Sequence, residues 1–459
     1  MSESSSFRVP VPTTRRQARG VQARGVQARG VLAGVAALTA VTVAATAGAS
    51  GADAAGSPAL KPITEAKIRA ALAPLVAADV PGAVAQVDQG RGPARAAAGL
   101  ADTDPREDAV PQAQSRVGSI TKSFVATVAL QLVGEGRLRL DTPIGDLVPG
   151  VPNADTITLR MLMNHTSGLF NYTEDDPFVL TLLTDPTRHW TPAELLAVAA
   201  SHEPLFAPGT DWHYSNTNFV VVGMILEKVT GKPLETLIAD RIVTPLGLRD
   251  TYLATTADFT GPHLHGIIPP GPLGPDPVDT TDWTPSWAWA AGALVSTSAD
   301  LQTFYRALLR GTLLRSRELQ AMRTLVPVVP GFGYGLGLYS TDFGCGTVWG
   351  HDGGMPGYVT VAGLSRDARQ AAVLLTNADS SINPAAAATV SYGYQALSCL
   401  AASMPVPPMP EPSTQPSTQP TPEPTVTQGS TSRVPRAALR ERGLAARVDL
   451  LPAPAVAGR

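Results

Sequence analysis

Several residue types that would narrow the chemistry of this chain are scarce. Among 459 residues there are two cysteines, and the formal net charge is only −3. This near balance of charges gives no reason to expect a nucleic-acid partner. Lysine occurs five times, and only Lys122 has a serine, Ser119, three residues before it. A rare amine at this fixed spacing from a hydroxyl is therefore the first feature to explain.

The sequence also lacks a long, strongly apolar run. The most apolar early segment, residues 31–47, is short and only weakly hydrophobic for a stable membrane span. It follows an arginine-rich stretch and precedes small residues, which is the order of an export signal, and we assign residues 1–54 to one. An uncleaved anchor is the alternative, and Arg15-Arg16 suggests the twin-arginine route. We therefore expect a secreted protein, with association with the cell wall as a further option.

The two cysteines and the C-terminal composition fit that expectation. An oxidising compartment would favour joining Cys345 to Cys399, whereas two buried free thiols are the alternative. From residue 403 to 459 the chain is rich in proline, threonine and serine, which cannot bury a core, so we predict a disordered tail. The remaining residues, 55–402, form the predicted catalytic domain.

Strand-like and helix-like patterns are distributed unevenly along this domain. Strand-like runs lie near its two ends, at 82–87, 94–100, 333–339, 347–351, 358–364 and 370–376. Helical patterns open the domain at 63–76, occupy most of its middle, including 157–169, and close it at 384–400. This distribution predicts an α+β fold, in which an antiparallel sheet built from both chain ends is flanked by helices and interrupted by a mostly helical insertion.

The Ser119–Lys122 spacing predicts a reactive pair. Residues three apart lie on one face of a helix, so a helix that begins near Ser119 brings the hydroxyl and the amine together. Burial lowers the pKa of an amine and lets it act as a base towards serine. The first N–H groups of the helix can hold an oxyanion. A solvated helix start is the unreactive alternative for this motif.

Two further motifs carry polar groups that suit the same chemistry. Tyr214 precedes Asn216 by two residues, and a phenol can protonate a leaving group while an amide grips a peptide bond. His351 is followed by Gly353 and Gly354, which would let a substrate backbone lie flat against an edge strand. Taken alone, the first motif also describes a loop tyrosine with a capping asparagine, and the second a strand that ends in a turn.

The order Ser-x-x-Lys, Tyr-x-Asn, His-x-Gly occurs once in the chain, and with it the sequence resembles the serine penicillin-recognising family. The resemblance is to the branch of class C β-lactamases, D-alanyl-D-alanine carboxypeptidases and related serine esterases. Residues 164–169, 291–297 and 334–338 look like the same branch. The placing of Cys345 and Cys399 is similar to that in secreted actinomycete-type carboxypeptidases. The resemblance covers about residues 60–400 and implies a β-lactamase/transpeptidase-like fold.

The resemblance implies a role for each motif residue. Ser119 becomes acylated beside Lys122, Tyr214 passes a proton to the leaving group, and either Lys122 or Tyr214 is the base. Five residues are expected to bind the substrate. Asn216 holds the substrate amide, His351 faces the cleft together with Gly353, and the N–H of Gly354 joins that of Ser119 in the oxyanion hole. Trp287 lines the cleft unless it belongs to the core.

The implied activity is that of an exported serine hydrolase that forms an acyl-enzyme, either a D-alanyl-D-alanine carboxypeptidase or a β-lactamase-related hydrolase. Its substrate would be a peptidoglycan stem peptide or a β-lactam, without a cofactor, and we expect a monomer. An esterase and a non-hydrolysing penicillin sensor are the alternatives. A metal hydrolase is disfavoured, because His263 and His265 have no Asp or Cys placed in sequence to complete a site.

One departure from the carboxypeptidase pattern bears on the substrate. Asp352 and Gly354 occupy positions where hydroxyl residues are expected, and Tyr339 stands in place of an arginine. A carboxylate at position 352 would repel the terminal carboxylate of D-alanyl-D-alanine. The departure therefore counts against that substrate and leaves the acylating residues untouched.

Overall fold

The computed structural model describes residues 62–270, 273–378 and 384–408. The proposed export signal and most of the proposed C-terminal tail lie outside the described residues. No helix among the described residues has both the length and the apolar character needed to cross a membrane.

A nine-stranded antiparallel sheet forms the centre of the described structure. The nine strands are β1 (Gly82–Gln89), β2 (Pro93–Thr103), β3 (Arg106–Asp108), β9 (Val326–Val329), β10 (Phe332–Tyr334), β11 (Tyr339–Asp342), β12 (Thr347–Met355), β13 (Tyr358–Ser365) and β14 (Gln370–Thr376). Their spatial order in the sheet is β3-β2-β1-β14-β13-β12-β11-β10-β9. β1 pairs directly with β14, with Ala83 opposite Thr376, so the sheet joins the two ends of the domain. The predicted sheet and its origin are confirmed.

Two smaller sheets lie within the insertion. Strands β4 (Ser115–Arg116), β8 (Leu294–Ser296) and β5 (Tyr252–Leu253) form one of them, and β6 (Ile267–Ile268) pairs with β7 (Val278–Asp279) in the other. β4 immediately precedes Ser119, and β8 immediately follows the segment that contains Trp287. The three-stranded sheet therefore fixes two segments of the candidate site relative to each other.

The helices lie on both sides of the large sheet and make up most of the insertion. They are α1 (Glu65–Ala77), α2 (Thr121–Gly134), α3 (Leu159–Met163), α4 (Asp176–Thr184), α5 (Pro192–Ala200), α6 (Asn216–Thr230), α7 (Leu234–Ile238), α8 (Thr244–Leu246), α9 (Trp289–Gly292), α10 (Ser298–Leu309), α11 (Ser316–Met322) and α12 (Pro384–Ala401). Short 3₁₀ turns at Gly118–Ile120 and Tyr172–Glu174 add to them.

The sheet separates two apolar cores. Alternate residues of a strand point to opposite faces, and β1 follows this rule: Ala85 packs in one core with α1 and α12, whereas Val84 packs in the other with α2 and α10. α2 belongs to the larger core and has eleven buried residues, including Lys122. A helix that is buried almost all round is held by its surroundings and suits a reacting group.

Two sequence expectations about local structure were wrong. Residues 333–339 do not form one strand, because Gly335–Leu338 turn inwards and Gly337 N donates to Met163 O at 3.0 Å. The helix expected over 157–169 spans only Leu159–Met163, because His165 adopts a left-handed φ of 64° that no α-helix accommodates. The first break brings Gly337 against α2, and the second brings His165 against the loop that carries Tyr214.

The expected disulfide is present. Cys345 and Cys399 are joined, with their Cα atoms 5.0 Å apart. The bridge ties the turn before β12 to α12, across 54 residues of chain. By loop-closure entropy such a bridge stabilises the fold by about 4 kcal/mol.

Candidate active site

Ser119 lies in a tight 3₁₀ turn at the N-terminal end of α2. The preceding Gly118 has a φ of 51°, and a Cβ there would lie 2.6 Å from Gly354 O, so only glycine fits. Thr121 Oγ1 donates to Gly118 O at 2.7 Å and accepts from Leu294 N at 3.0 Å. The turn is thus pinned between β12 and β8, and its serine is held in one position.

Lys122 is fully buried, and its amine contacts three oxygens. Nζ lies 2.9 Å from Ser119 Oγ, 2.7 Å from Asn216 Oδ1 and 2.7 Å from Ala291 O. Burial lowers its pKa well below the usual 10.5, opposed in part by the charge of Asp352. The two carbonyl oxygens can only accept, so in its neutral form the amine would give both of its hydrogens to them. The remaining lone pair is then directed at the Ser119 hydroxyl.

The aromatic ring of Tyr214 lies next to the Lys122 amine. The Lys122 Nζ is 4.9 Å from the centroid of the Tyr214 ring. Burial raises the pKa of the phenol well above 10, and Tyr214 Oη has no hydrogen-bond partner among the described residues. Tyr214 is therefore protonated at neutral pH, while the Lys122 amine is biased towards its neutral form. This combination favours Lys122 as the base and Tyr214 as the proton donor.

Asn216, the first residue of α6, is bonded inside the protein on both sides of its amide. Oδ1 accepts from Lys122, and Nδ2 donates to Thr173 Oγ1 at 3.1 Å. Its side chain also lines the cleft beside Ser119. The structure thus shows it positioning the Lys122 amine, and its grip on a substrate amide stays a prediction. We call Ser119, Lys122, Tyr214 and Asn216 the helical wall.

The opposite side, here called the strand wall, consists of His351, Asp352, Gly353 and Gly354 on β12. His351 is only 2% exposed and does not line the cleft, contrary to the expectation that it faces a substrate. Its Nδ1 bonds the Asp352 carbonyl oxygen, and its Nε2 lies 2.7 Å from Tyr334 Oη. The carbonyl must accept, so Nδ1 carries the proton and Nε2 accepts from the phenol. Burial lowers the His351 pKa to about 3, which keeps the ring neutral.

The two glycines of the strand wall allow β12 to approach the Ser119 turn. A Cβ on Gly353 would lie 2.0 Å from Val117 O and 2.7 Å from Ser119 N. Gly354 lines the cleft together with Ser119. Gly353 therefore cannot carry a side chain unless the serine turn moves, which accounts for this glycine better than a flat substrate surface alone.

Asp352 introduces a carboxylate beside this neutral machinery. Its side chain is 19% exposed, and its Oδ1 lies 3.8 Å from His351 Nδ1. Burial raises its pKa to about 6, while the nearby Lys122 lowers it. Asp352 is therefore ionised above about pH 6, and it is not among the residues that line the cleft around Ser119.

A cleft opens between the two walls. Apart from Ser119, Asn216 and Gly354, its lining is mostly apolar or aromatic: Tyr172, Thr173, Trp287, Ala288, Ala291, Gly292 and Met355. Trp287 thus lines the cleft, and its carbonyl accepts from Tyr172 Oη at 2.7 Å. This lining suits the hydrophobic side chain of a substrate.

Sequence reasoning missed several residues that build this site. Ala291 acts through its backbone carbonyl, and Thr173 and Asn171 act by bonding Asn216, so no pattern of side-chain types identifies them. His165, quoted above only as part of a similar stretch, packs on Tyr214 with ring centroids 4.3 Å apart. A buried histidine next to a tyrosine motif is the one signal that was available.

The histidines disfavoured as metal ligands have acidic neighbours after all. Asp102 and Asp279, from distant parts of the chain, place ligand atoms within 4.8 Å of one another and of His265. His265 Nδ1 lies 3.2 Å from Asp279 and 3.5 Å from Asp102, which is the arrangement of an ordinary ion-pair cluster. None of the three residues lines the cleft around Ser119.

With this geometry established, comparison with known proteins identifies the family. The β-lactamase family profile matches residues 68–395, which is most of the chain. This chain belongs to the β-lactamase family. It is thus a serine hydrolase of the superfamily that also contains the penicillin-binding proteins.

Similar proteins in this family include amide hydrolases with D-specific names. A D-stereospecific amidohydrolase from a Streptomyces species is 41% identical, with a TM-score of 0.65, and the match covers 70% of this chain and 97% of that one. A D-aminopeptidase from Cereibacter sphaeroides is 28% identical over 69% of this chain and 61% of its own length. The putative penicillin-binding protein PbpX of Bacillus subtilis is 28% identical over 57% of this chain and 61% of its own length. The chain thus spans about three fifths of these two curated relatives.

Proposed function

We propose that this protein hydrolyses the amide bond of a D-amino acid amide or of a peptide with an N-terminal D-residue, through an acyl-enzyme on Ser119. The proposal rests first on one observation, the 2.9 Å contact of the Ser119 hydroxyl with a buried amine whose other two partners are carbonyl oxygens. A serine with an adjacent, uncharged amine is an activated nucleophile.

The proposed reaction has two halves. The Lys122 lone pair takes the Ser119 proton as Oγ attacks the substrate carbonyl, and the N–H groups of Ser119 and Gly354 stabilise the oxyanion. The C–N bond then breaks as Tyr214 gives its proton to the leaving nitrogen and recovers one from the Lys122 ammonium. Water attacks the resulting ester, loses its proton to the same pair of groups, and releases the acid with the Ser119 hydroxyl restored.

The strand wall supports the choice of substrate. An ionised Asp352 would attract the free ammonium group of an aminoacyl substrate and repel the terminal carboxylate of a carboxypeptidase substrate or a penicillin. The apolar lining of the cleft, with Trp287 and Met355, suits a hydrophobic side chain. Two of the similar proteins named above carry D-specific amidohydrolase and D-aminopeptidase names. These three observations favour a D-aminoacyl amide over D-alanyl-D-alanine.

Export is a separate proposal about the same protein. The disulfide between Cys345 and Cys399 supports it, because such bonds persist in oxidising compartments. Secretion is tested by expressing the full chain in a bacterial host and sequencing the N-terminus of the protein recovered from the medium. Retention of an intact N-terminus inside the cell would contradict export.

The catalytic proposal is tested with a matched panel of substrates. Purified protein is mixed with D- and L-phenylalanine amide, N-acetyl-D-alanyl-D-alanine, a penicillin and a p-nitrophenyl ester, with Ser119→Ala as the control. We expect turnover of the D-amide above that of the L-amide and both carboxylate substrates, and an acyl adduct on Ser119 by peptide mass. Preference for the carboxylate substrates, cleavage of esters alone, or full activity of Ser119→Ala would each reject the proposal.

A further inference from the structure

His165 touches Tyr214 and both of its chain neighbours. Its backbone oxygen accepts from His213 N at 3.1 Å, and its Nδ1 lies 3.2 Å from Ser215 N. Its imidazole ring packs on the Tyr214 ring, with centroids 4.3 Å apart and planes 33° apart. His165 therefore contacts the residue before Tyr214, the residue after it and one face of its ring.

These contacts fix the protonation of the imidazole. The backbone N–H of Ser215 can only donate, so His165 Nδ1 must be an unprotonated acceptor, and the proton resides on Nε2. Asn218 Nδ2, at 3.1 Å from the same nitrogen, is a second donor to it. Among the described residues, Nε2 has no hydrogen-bond partner, although the side chain is fully buried. Burial lowers the His165 pKa well below its usual value.

The backbone of His165 is also specialised for this contact. Its φ of 64° is unusual for a residue other than glycine and costs free energy that the surrounding contacts must offset. That conformation ends α3 early and turns the imidazole back onto the Tyr214 segment. A buried polar nitrogen and a left-handed backbone at one position both point to a constraint on placement beyond packing.

We propose that His165 is a positioning residue for Tyr214: as a neutral hydrogen-bond acceptor that grips Ser215 N, it holds the phenol where it can protonate the leaving nitrogen. The inference rests on the proposed acyl-enzyme chemistry and on Tyr214 as its proton donor. His165 touches no reacting atom in this scheme. Its loss should therefore harm only the step that needs the Tyr214 proton.

Two substitutions separate the acceptor from the ring. His165→Asn keeps an acceptor oxygen near the position of Nδ1 and tolerates the left-handed backbone. His165→Phe keeps a ring against Tyr214 but removes the acceptor. If gripping Ser215 N is what matters, the asparagine variant retains function and the phenylalanine variant loses it. A role in packing alone predicts the opposite order.

The readout is the ratio of kcat/KM for two substrates with the same acyl group, D-phenylalanine amide and D-phenylalanine p-nitrophenyl ester. The amide nitrogen must be protonated to leave, whereas p-nitrophenolate leaves without a proton. We expect Tyr214→Phe to lower the amide value by about 10²-fold or more and the ester value far less. His165→Phe should lower the amide value at least about 10-fold with a small change for the ester, and His165→Asn should retain most of both.

The ratio does not depend on how much of a variant is folded, and His165→Leu replaces His165→Phe if the latter is insoluble. In a Tyr214→Phe background, His165→Phe should cause no further loss of amide turnover, because the group it positions is gone. Equal losses for amide and ester, or additive losses in the double variant, would overturn the inference. If instead Ser119→Ala retains turnover, the proposed function itself fails and the His165 result carries no weight for it.

Discussion

The two walls of the cleft are built in different ways. The helical wall holds its groups through direct side-chain contacts, such as the 2.7 Å bond from Lys122 to Asn216, and every titrating group in it is biased towards neutrality. The strand wall contributes close backbone through two glycines and a single carboxylate, Asp352, that is partly exposed. In the proposed reaction the acid–base chemistry depends on the helical wall, whereas we expect the strand wall to influence where the substrate lies and which charge it carries.

The largest difference between the two walls is expected for a substitution of Lys122 in the helical wall. Replacing it with methionine keeps the buried volume but removes the base, and we expect kcat/KM to fall by about 10³- to 10⁴-fold. Unfolding free energy should change by no more than about 2 kcal/mol, because the lost hydrogen bonds to Asn216 and Ala291 are offset by relief of amine burial. Steady-state kinetics and thermal unfolding measure the two effects.

Lys228 provides the matched control for that substitution. It is an exposed lysine on α6, and Lys228→Met should leave both activity and stability unchanged. Full activity of Lys122→Met would show that the base is another group, with Tyr214 the first to examine.

The helical wall was also the more predictable of the two. The Ser119–Lys122 contact follows from the geometry of one helix turn, which a sequence records directly. The remaining partners of Lys122 come from Asn216 and from the backbone of Ala291, 94 and 169 residues away, and only the fold brings them together. Sequence reasoning identified the amine and left its protonation state open, because that state depends on these distant acceptors.

The errors in the sequence interpretation share one physical cause. His165 was placed in a helix because its neighbours favour helix, yet packing against Tyr214 forces its φ to 64°. Likewise 333–339 reads as a strand by composition, whereas the turn at Gly337 is set by its fit against α2, where a Cβ would meet Ala126 at 2.7 Å. Local propensity is overridden where backbone contacts between distant segments build the site.

The next largest loss of activity is expected for a substitution of Gly353 in the strand wall. An added Cβ would lie 2.0 Å from Val117 O, so Gly353→Ala must displace either β12 or the Ser119 turn. A displacement near 1 Å costs about 10²-fold in rate, and we expect a loss of that size together with about 1–3 kcal/mol of unfolding free energy. Steady-state kinetics and denaturant unfolding measure the two losses.

Gly261→Ala is the matched control, because its nearest neighbour would be an ordinary 3.8 Å contact with Gln114. This control should be silent in both assays. Unchanged kinetics in the Gly353 variant would mean that the strand can move away from the serine without consequence, and the proposed close fit would be wrong.

The smallest expected effect, and the sharpest test of the division between the walls, is at Asp352. Asp352→Asn removes the charge with little change in shape, so KM for D-phenylalanine amide should rise about 10-fold, as expected for one charged hydrogen bond. Turnover of N-acetyl-D-alanyl-D-alanine should improve, because its carboxylate is no longer repelled. If Asp352→Asn instead changed kcat for both substrates equally, Asp352 would take part in the reaction itself. The separate roles assigned to the two walls would then be wrong.

The same substitution has a signature in stability that depends on pH. Burial raises the pKa of this carboxyl from 3.8 to about 6, so the folded protein binds the proton more tightly than the unfolded chain does. The ionised carboxylate therefore destabilises the fold progressively as pH rises from about 4 to about 6, by about 3 kcal/mol in full. Asp352→Asn should thus unfold at a higher temperature than the parent at pH 7.5 and at nearly the same temperature at pH 4. A gain of equal size at both pH values would show that shape, and not the buried charge, distinguishes the two side chains.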